Sequence, residues 1–477
     1  MSDLPLDRQP ISQLAQQIQA GDLSPVTLTE HYLNRIQALD PTLHAFRLVC
    51  PDRALAEAQA AALVLQSGHQ VGPLYGIPFA AKDLFDVKGL PTTAGSDLLS
   101  DNIAPADATV IRQLRQSGMI LLGKTHTVQF AYGGVGINHH HGTPHNPWHK
   151  THHVPGGSSS GSGVAVAAAM VPMALGSDTG GSVRIPAGLC GVVGLKTTVG
   201  QVSRAGVFPL SWSLDSVGSL TQCIEDAALV YQAMRGIDTA DHTTLGCQPQ
   251  DVISALKDGV KGLRLAFAES VFWDDANTEV VHAVRGCGEI FTDLGAQVTS
   301  IHFPQAAQAQ VLNPRGLVIA AEAYTIHQKR LTAHSEAFDP IVGQRILQGK
   351  SIPAYEYLTT SRAWTALRAE AQRTLQDIDA LLVPTTMIPA LPVDEVDADL
   401  DTYSKHNLQY LRNTAIGNIL NLCGLSIPCG YTKQGLPIGL MIYAKPFDES
   451  ILLRIGYAYE QATPESRKAP DLSWVNA

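Results

Sequence analysis

Nine residues, Pro155-Gly156-Gly157-Ser158-Ser159-Ser160-Gly161-Ser162-Gly163, carry little side-chain volume and run without a break into Val164-Ala165-Val166-Ala167-Ala168-Ala169. Composition alone would make the first part a flexible linker. The second part argues against that, because an uninterrupted apolar stretch demands burial and a linker does not lead straight into a core helix. Glycines at the start of such a helix allow close backbone approach, and the serine hydroxyls and free N–H groups face the space in front of it. A second block follows, Leu175-Gly176-Ser177-Asp178-Thr179-Gly180-Gly181-Ser182-Val183-Arg184-Ile185-Pro186-Ala187. A serine after two glycines at a tight turn has accessible backbone N–H groups beside its own hydroxyl. Acyl transfer to serine needs that combination, a nucleophile with donors aimed at the oxygen that becomes negative. A phosphate-cradling loop would want a lysine beside the Ser/Thr in Walker spacing, and none is there.

Around these blocks the chain reads as α/β. From Ile11 to about Gln66 the spacing of Leu14, Ile18, Leu28, Tyr32, Ile36 and Leu39 is helical, with Ser24 and Pro25 as a helix start. Past Gly72 the texture turns to short apolar runs, Ile77 to Ala81 and Met119 to Leu122, the second preceded by a helix-like stretch from Ala108 to Gln116. The small-apolar stretch from Gly163 to Leu175 is shorter than the ~20 residues of a membrane span and reads as a buried helix. The segment from about Asp238 to Lys261 is more polar and joins the core to a variable part. Beyond it lie a strand at Leu263–Ala266, helices near Thr278–Leu294 and Tyr357–Leu375, and a strand at Leu381–Val383. The tail reads as a strand from Leu425, a turn at Lys433–Gly435, a strand at Ile438–Tyr443 and a helix from Glu449 to Gln461.

At 477 residues the chain can bury a large core, as one domain or two intimately packed ones. With 33 basic against 43 acidic side chains, a formal charge of −10 and no basic stretch, it lacks the phosphate-neutralising surface of a nucleic-acid binder. Met1 to Pro5 show neither a basic nor an apolar signal region. The seven cysteines are scattered without a CxxC pair, which favours reduced thiols in a cytoplasmic protein.

The two blocks together carry a family resemblance. Gly156-Gly157-Ser158-Ser159 and Asp178-Thr179-Gly180-Gly181-Ser182-Val183-Arg184-Ile185-Pro186 resemble the amidase signature, with the family's interval of 24 positions from Ser158 to Ser182. Gly76-Ile77-Pro78-Phe79-Ala80-Ala81-Lys82-Asp83 resembles its lysine motif. Further agreement spans most of the chain, at Leu122–Thr125, Asn146–Trp148, Gly194–Lys196, Val202–Arg204, Ser213–Asp215 and Gly435–Leu440. The resemblance implies one α/β/α domain over 1–477, with a mixed central sheet covered by helices on both faces. Its parts would be a helical N-terminal region 11–66, a catalytic core 72–220 and a variable and C-terminal region 262–477.

The resemblance also implies roles. Ser182 would attack the amide carbonyl, Ser158 would pass its proton on, and Lys82 would accept it as a neutral amine, far from its ordinary pKa near ~10.4. The N–H groups of Thr179, Gly180, Gly181 and Ser182 would form the oxyanion hole. Tyr132, Gly133, Gly134, Ser159 and Trp212 would meet the substrate, with Phe208 nearby. Arg184 and Asp178 read as partners holding the nucleophile loop, and Lys196 and Asp215 as structural. No metal and no cofactor are implied; the partners are a small, largely uncharged amide and water, with esters or carbamates open to the same chemistry. No membrane partner is read, and a homodimer stays open.

Departures from the family pattern, Ser160, Thr197, His126 and Ser219, leave the triad untouched. The glutamine-hydrolysing component of glutamine-dependent tRNA amidotransferase is a rival within the family, and a non-catalytic binding protein on the same fold is another. The intact lysine and serines argue against the second. Against the first, Arg345 stands where that component's glutamine-binding arginine is expected, but Thr414 occupies the place of its aspartate, so the charge complementary to an ammonium is missing. The histidines His139, His140, His141, His145, His149, His152 and His153 tempt a metal reading. Pro144 and Pro147 break the helix that would align them, and a solvated or site-flanking loop is the preferred reading.

Overall fold

The computed structural model describes residues 4–248 and 250–475. Met1 to Asp3, part of the N-terminal stretch read above, lie outside the described residues. Eleven strands form one mixed sheet: β1 Phe46–Val49, β2 Pro78–Lys82, β3 Ile120–Thr125, β4 Met173–Asp178, β5 Val193–Lys196, β6 Ser216–Thr221, β7 Arg264–Glu269, β8 Gln297–His302, β9 Ala380–Pro384, β10 Cys423–Tyr431 and β11 Pro437–Ala444. Their order across the sheet is β1-β3-β2-β4-β6-β5-β10-β11-β9-β7-β8. β3, β2 and β4 are parallel, as are β9, β7 and β8, and an antiparallel centre joins the two groups.

Successive side chains on a strand point to opposite faces, and the core divides accordingly. Leu265, Phe267 and Ile442 pack into one apolar cluster, while Ala266, Ala268, Met441 and Tyr443 pack into another. The first cluster is covered by helices that include Ser160–Ala167, Ile224–Met234, Thr278–Asp293 and Glu449–Ala462. The second is covered by Leu317–Ala333, Ala354–Thr374 and Leu400–Ile419. The fold is thus a single α/β/α domain with helices on both faces of a mixed sheet. No helix among the described residues is long and apolar enough to cross a membrane.

Two expectations need correction. The stretch 11–66 is not continuously helical: β1 interrupts it and pairs with β3. His44 ends the helix Pro25–Leu43 in the left-handed conformation, and the Asp40 carboxylate accepts the N–H groups of Ala45 and Phe46. Nor is Gly163 to Leu175 one buried helix. The helix stops at Ala167 and β4 begins at Met173. Ala169, at φ +53°, closes the helix, and Pro172, which lacks an N–H and biases Val171 toward extended backbone, keeps it from resuming before β4.

Candidate active site

β2 and β4 lie side by side and parallel, with Ala81 opposite Leu175, so both strands deliver their C-terminal ends to the same edge of the sheet. There β2 ends on Lys82, and β4 ends on Ser177 and Asp178 before turning into the Thr179–Val183 loop. This is where parallel α/β sheets place their sites, because the chain leaves the strands there as loops. The turn before the helix Ser160–Ala167 brings in the third element: Ser159 N–H donates to the Ser182 carbonyl at 3.2 Å. The Gly157–Ser158 peptide is cis.

Lys82, Ser158 and Ser182 are gathered here, all buried. Lys82 Nζ lies 2.7 Å from Ser158 Oγ and 2.9 Å from Ser177 Oγ. Burial depresses the amine from 10.5 to about 7, although the Asp215 and Asp178 carboxylates pull the other way. Desolvation disfavours the charged form, and neither carboxylate makes an ion pair with Lys82 that would rescue it.

The nucleophile loop is pinned from beneath. Asp178 forms a fully buried pair with Arg184, at 3.0 Å to Nε and 2.8 Å to Nη2, and Asn418 and Tyr443 complete the guanidinium's partners. Burial would raise the Asp178 carboxyl, but the guanidinium beside it holds it at about 2. The same carboxylate accepts the N–H groups of Gly181 at 2.8 Å and Val183 at 3.1 Å. Of the four backbone donors expected of this loop, Gly181 is therefore already engaged. Among the described residues nothing accepts from the N–H of Thr179, Gly180 or Ser182. Lys196 is a buried neighbour whose ammonium nitrogen donates to the Thr197 and Leu422 carbonyls at 2.9 Å each.

Gly181 has φ +136°, and a Cβ there would run into the Thr414 side chain. Thr414 in turn donates to the Gly180 carbonyl at 2.6 Å. Gly181→Ala is therefore expected to strain the loop by about 1–3 kcal/mol and to lower turnover at least about tenfold. Steady-state rates alongside thermal unfolding check both halves.

A cavity of about 230 Å³ opens beside Ser177 and Thr179, with Phe208, Leu210 and Val217 on its apolar wall and half-exposed Trp212 among its lining residues. Of the expected substrate contacts, Trp212 lines this cavity. Tyr132 is buried beside it, under the Arg345 guanidinium at 4.0 Å from the ring centre. Arg345 also donates to the Tyr132 carbonyl at 2.7 Å. Gly134 donates its N–H to Asn407, and Ser159 donates its hydroxyl to the Ser177 carbonyl. Neither Gly133 nor Gly134 lines the cavity.

Asp215, read from the sequence as structural, ties the cavity wall to the nucleophile loop. Its Oδ1 accepts the Thr179 hydroxyl at 2.5 Å and its Oδ2 the N–H groups of Leu210 and Ser211. Ser177 is a neighbour of the site that no motif marks, since only the pairing of β4 beside β2 brings its hydroxyl to Lys82.

Histidines of the 139–153 stretch are engaged with carboxylates and carbonyls. His139 bridges Asp339 at 2.6 Å and Asp397 at 3.0 Å, His141 meets Asp97, and His145 meets the carbonyls of His149 and Thr151. The hydrogen bond to Asp339 and the two carboxylate charges, opposed by burial, raise His139 from 6.5 to about 9. A raised histidine stabilises fully below its unfolded value and loses that contribution as pH rises through the folded one. Thermal unfolding of His139→Gln is thus expected to fall below wild type near pH 6 and to converge with it well above pH 9.

The amidase family model matches residues 27–453. The chain belongs to the amidase signature family. It is 36% identical to the 2-amino-5-chloromuconic acid deaminase of Comamonas testosteroni over 97% of this chain and 98% of that one. It is 37% identical to an amidase of Pseudomonas putida, over 98% of each chain. A glutamyl-tRNA(Gln) amidotransferase component from Gloeobacter violaceus is 36% identical over 97% of this chain and 98% of that one. The native peptide amidase of Stenotrophomonas maltophilia superimposes with a TM-score of 0.84 at 29% identity, covering 98% of this chain and all of that one. As a member of this family the chain is an amide-hydrolysing enzyme.

Proposed function

We propose that this amidase is a stand-alone serine hydrolase of small or medium-sized, largely uncharged carboxamides, working through an acyl-enzyme on Ser182. The observation that carries the reading is the 2.7 Å hydrogen bond between Ser158 and a buried Lys82 held near neutrality. A neutral amine has two N–H groups and one lone pair. Donating to Ser177 leaves the lone pair free to face Ser158, so Ser158 can hand on the proton it takes from Ser182 Oγ. Ser182 Oγ then bonds to the carbonyl carbon, and the oxygen that becomes negative finds the unengaged N–H groups of Thr179, Gly180 and Ser182. Losing one such donor typically costs on the order of 10²–10³ in rate. The proton returns from Lys82 through Ser158 to the leaving nitrogen, the C–N bond breaks, and water resolves the ester by the same route in reverse.

Thr414 favours this reading over a glutaminase component of a larger complex. Its hydroxyl is spent on the Gly180 and Leu411 carbonyls, and it puts no carboxylate where a zwitterion's ammonium would need one. Five of the seven cysteines are buried and all seven are unpaired, which suits a reducing, cytoplasmic setting.

The test is a panel of aliphatic amides, anilides, carbamates and glutamine with the purified chain. Turnover of uncharged amides with glutamine left intact is expected. Glutamine as the preferred substrate would overturn the stand-alone reading.

A further inference from the structure

The segment 204–217 forms one wall of the cavity and carries Asp215, yet before β6 begins at Ser216 it holds neither helix nor strand. Backbone hydrogen bonds to Leu84, Asp86 and Thr109 hold residues 205–208, but Ser211 to Ser213 need another anchor from outside the segment. That anchor is Glu322, in the helix Leu317–Ala333 on the far side of the cavity wall. Glu322 is fully buried and, among the described residues, pairs with no cation. Its carboxylate instead collects four donors: the hydroxyls of Ser211 and Ser213, the Ser213 N–H at 3.2 Å and the Tyr357 hydroxyl at 2.7 Å. Three of the four come from the cavity-wall segment and the fourth from the helix Ala354–Thr374.

Burying an unpaired carboxylate is unfavourable unless hydrogen bonds replace its water, and an apolar residue would pack that helix without the penalty. The charge therefore has a use beyond packing. Ser211 shows what it is: its hydroxyl donates to Glu322 while its N–H donates to Asp215. The other oxygen of Asp215 accepts the Thr179 hydroxyl, and Thr179 is the first residue of the nucleophile loop. Arg204 reinforces the same segment by donating to the Trp212 and Asp215 carbonyls at 2.8 and 3.2 Å. An unbroken series of hydrogen bonds runs from Glu322 through Ser211 and Asp215 to Thr179.

We propose that Glu322 is a positioning residue for amide hydrolysis, holding Thr179 in place as an oxyanion donor through Ser211 and Asp215 and holding the cavity wall through Ser213. The inference rests on the serine reading above. Glu322 touches no reacting atom; its effect passes through residues that do.

The test is a double-mutant cycle in kcat with Glu322→Gln and Thr179→Val, on whichever amide the wild type turns over. Residues that act as one unit show losses that do not multiply. Each single variant is expected to lose about 10- to 100-fold in kcat, and the double variant about as much as the worse single one. KM for a bulky amide is expected to rise in Glu322→Gln but not in Thr179→Val, because only the first loosens the wall. Losses that multiply, or a folded Glu322→Gln with wild-type kcat, overturn the proposal. If Glu322→Gln fails to fold, Ser211→Ala removes the hydroxyl through which Glu322 reaches Asp215 and enters the same cycle, with the same outcomes deciding. Failure of the serine reading shows in the wild type, as turnover without fluorophosphonate labelling at Ser182, whereas failure of the positioning role shows only in the variants.

Discussion

Ser182→Ala is expected to remove amide hydrolysis by a factor on the order of 10⁵ or more and to abolish covalent labelling by a fluorophosphonate probe. The size follows from what the substitution leaves behind. The Asp178–Arg184 pair still pins the loop, and the N–H groups of Thr179 and Gly180 stay unengaged, so an amide can still bind with its carbonyl polarised. Nothing then attacks the carbon except water, which no side chain holds in place of the Ser182 hydroxyl, although Ser158 and Lys82 remain to take its proton. Ser160 provides an internal control. It starts the helix just past Ser159 and, among the described residues, is a buried hydroxyl without a partner and with no lysine within hydrogen-bond reach. Labelling that persists in Ser182→Ala, or moves to Ser160, would falsify the nucleophile assignment. Mass spectrometry of the labelled peptide decides between the two.

The chemistry-bearing stretches are legible in the sequence because each is short. Lys82 sits at the end of an apolar strand, Ser158 before a helix, and Ser182 in a glycine turn, so local composition suffices to pick them out. The residues that tune them are not local. Thr414 meets Gly180 across more than two hundred positions, and Glu322 meets Ser211 across more than a hundred. Such pairs depend on which strands neighbour one another, and the order β4-β6-β5-β10 cannot be read from periodicity. The helices Leu317–Ala333 and Leu400–Ile419 escape for a related reason. Their buried faces carry polar residues, Glu322 and His327 in the first and Asn407, Asn413, Thr414 and Asn418 in the second, so no clean apolar stripe marks them. β8 is half exposed at the sheet edge and likewise lacks a strong apolar signal. Gly181 combines the two kinds of information: the sequence marks it as part of a turn, while only the structure shows that Thr414 forbids a side chain there.

Lys82→Met should remove most turnover while making the protein more stable near neutral pH, and the two outcomes share one cause. A base withdrawn from proton transfer typically costs 10²–10⁴ in rate. In the wild type, burial lowers the amine from 10.5 to about 7, so the neutral form that can accept a proton predominates only above that value. kcat/KM is therefore expected to rise about tenfold per pH unit up to near 7 and then level off, an acid limb that Lys82→Met should lack in any residual activity. The sign for stability follows from the same depression. Between about 7 and 10.5 the unfolded chain holds a proton that the folded chain does not, so the wild type gains stability as pH rises through that window. At pH 7 and below the burden is largest, on the order of 5 kcal/mol. Methionine carries none of it, though it leaves the Ser158 and Ser177 hydroxyls without the amine, a loss of about 1–3 kcal/mol for each buried group left unpaired. Both hydroxyls can rotate, which places that loss toward its lower end and lets the relief of the buried amine win. Denaturant unfolding should then show the variant ahead of wild type near pH 6, with the gap closing toward pH 10. A variant less stable than wild type near pH 6 would mean that the fold does not hold Lys82 against its ordinary charge, and the site would lose the base on which the serine mechanism depends.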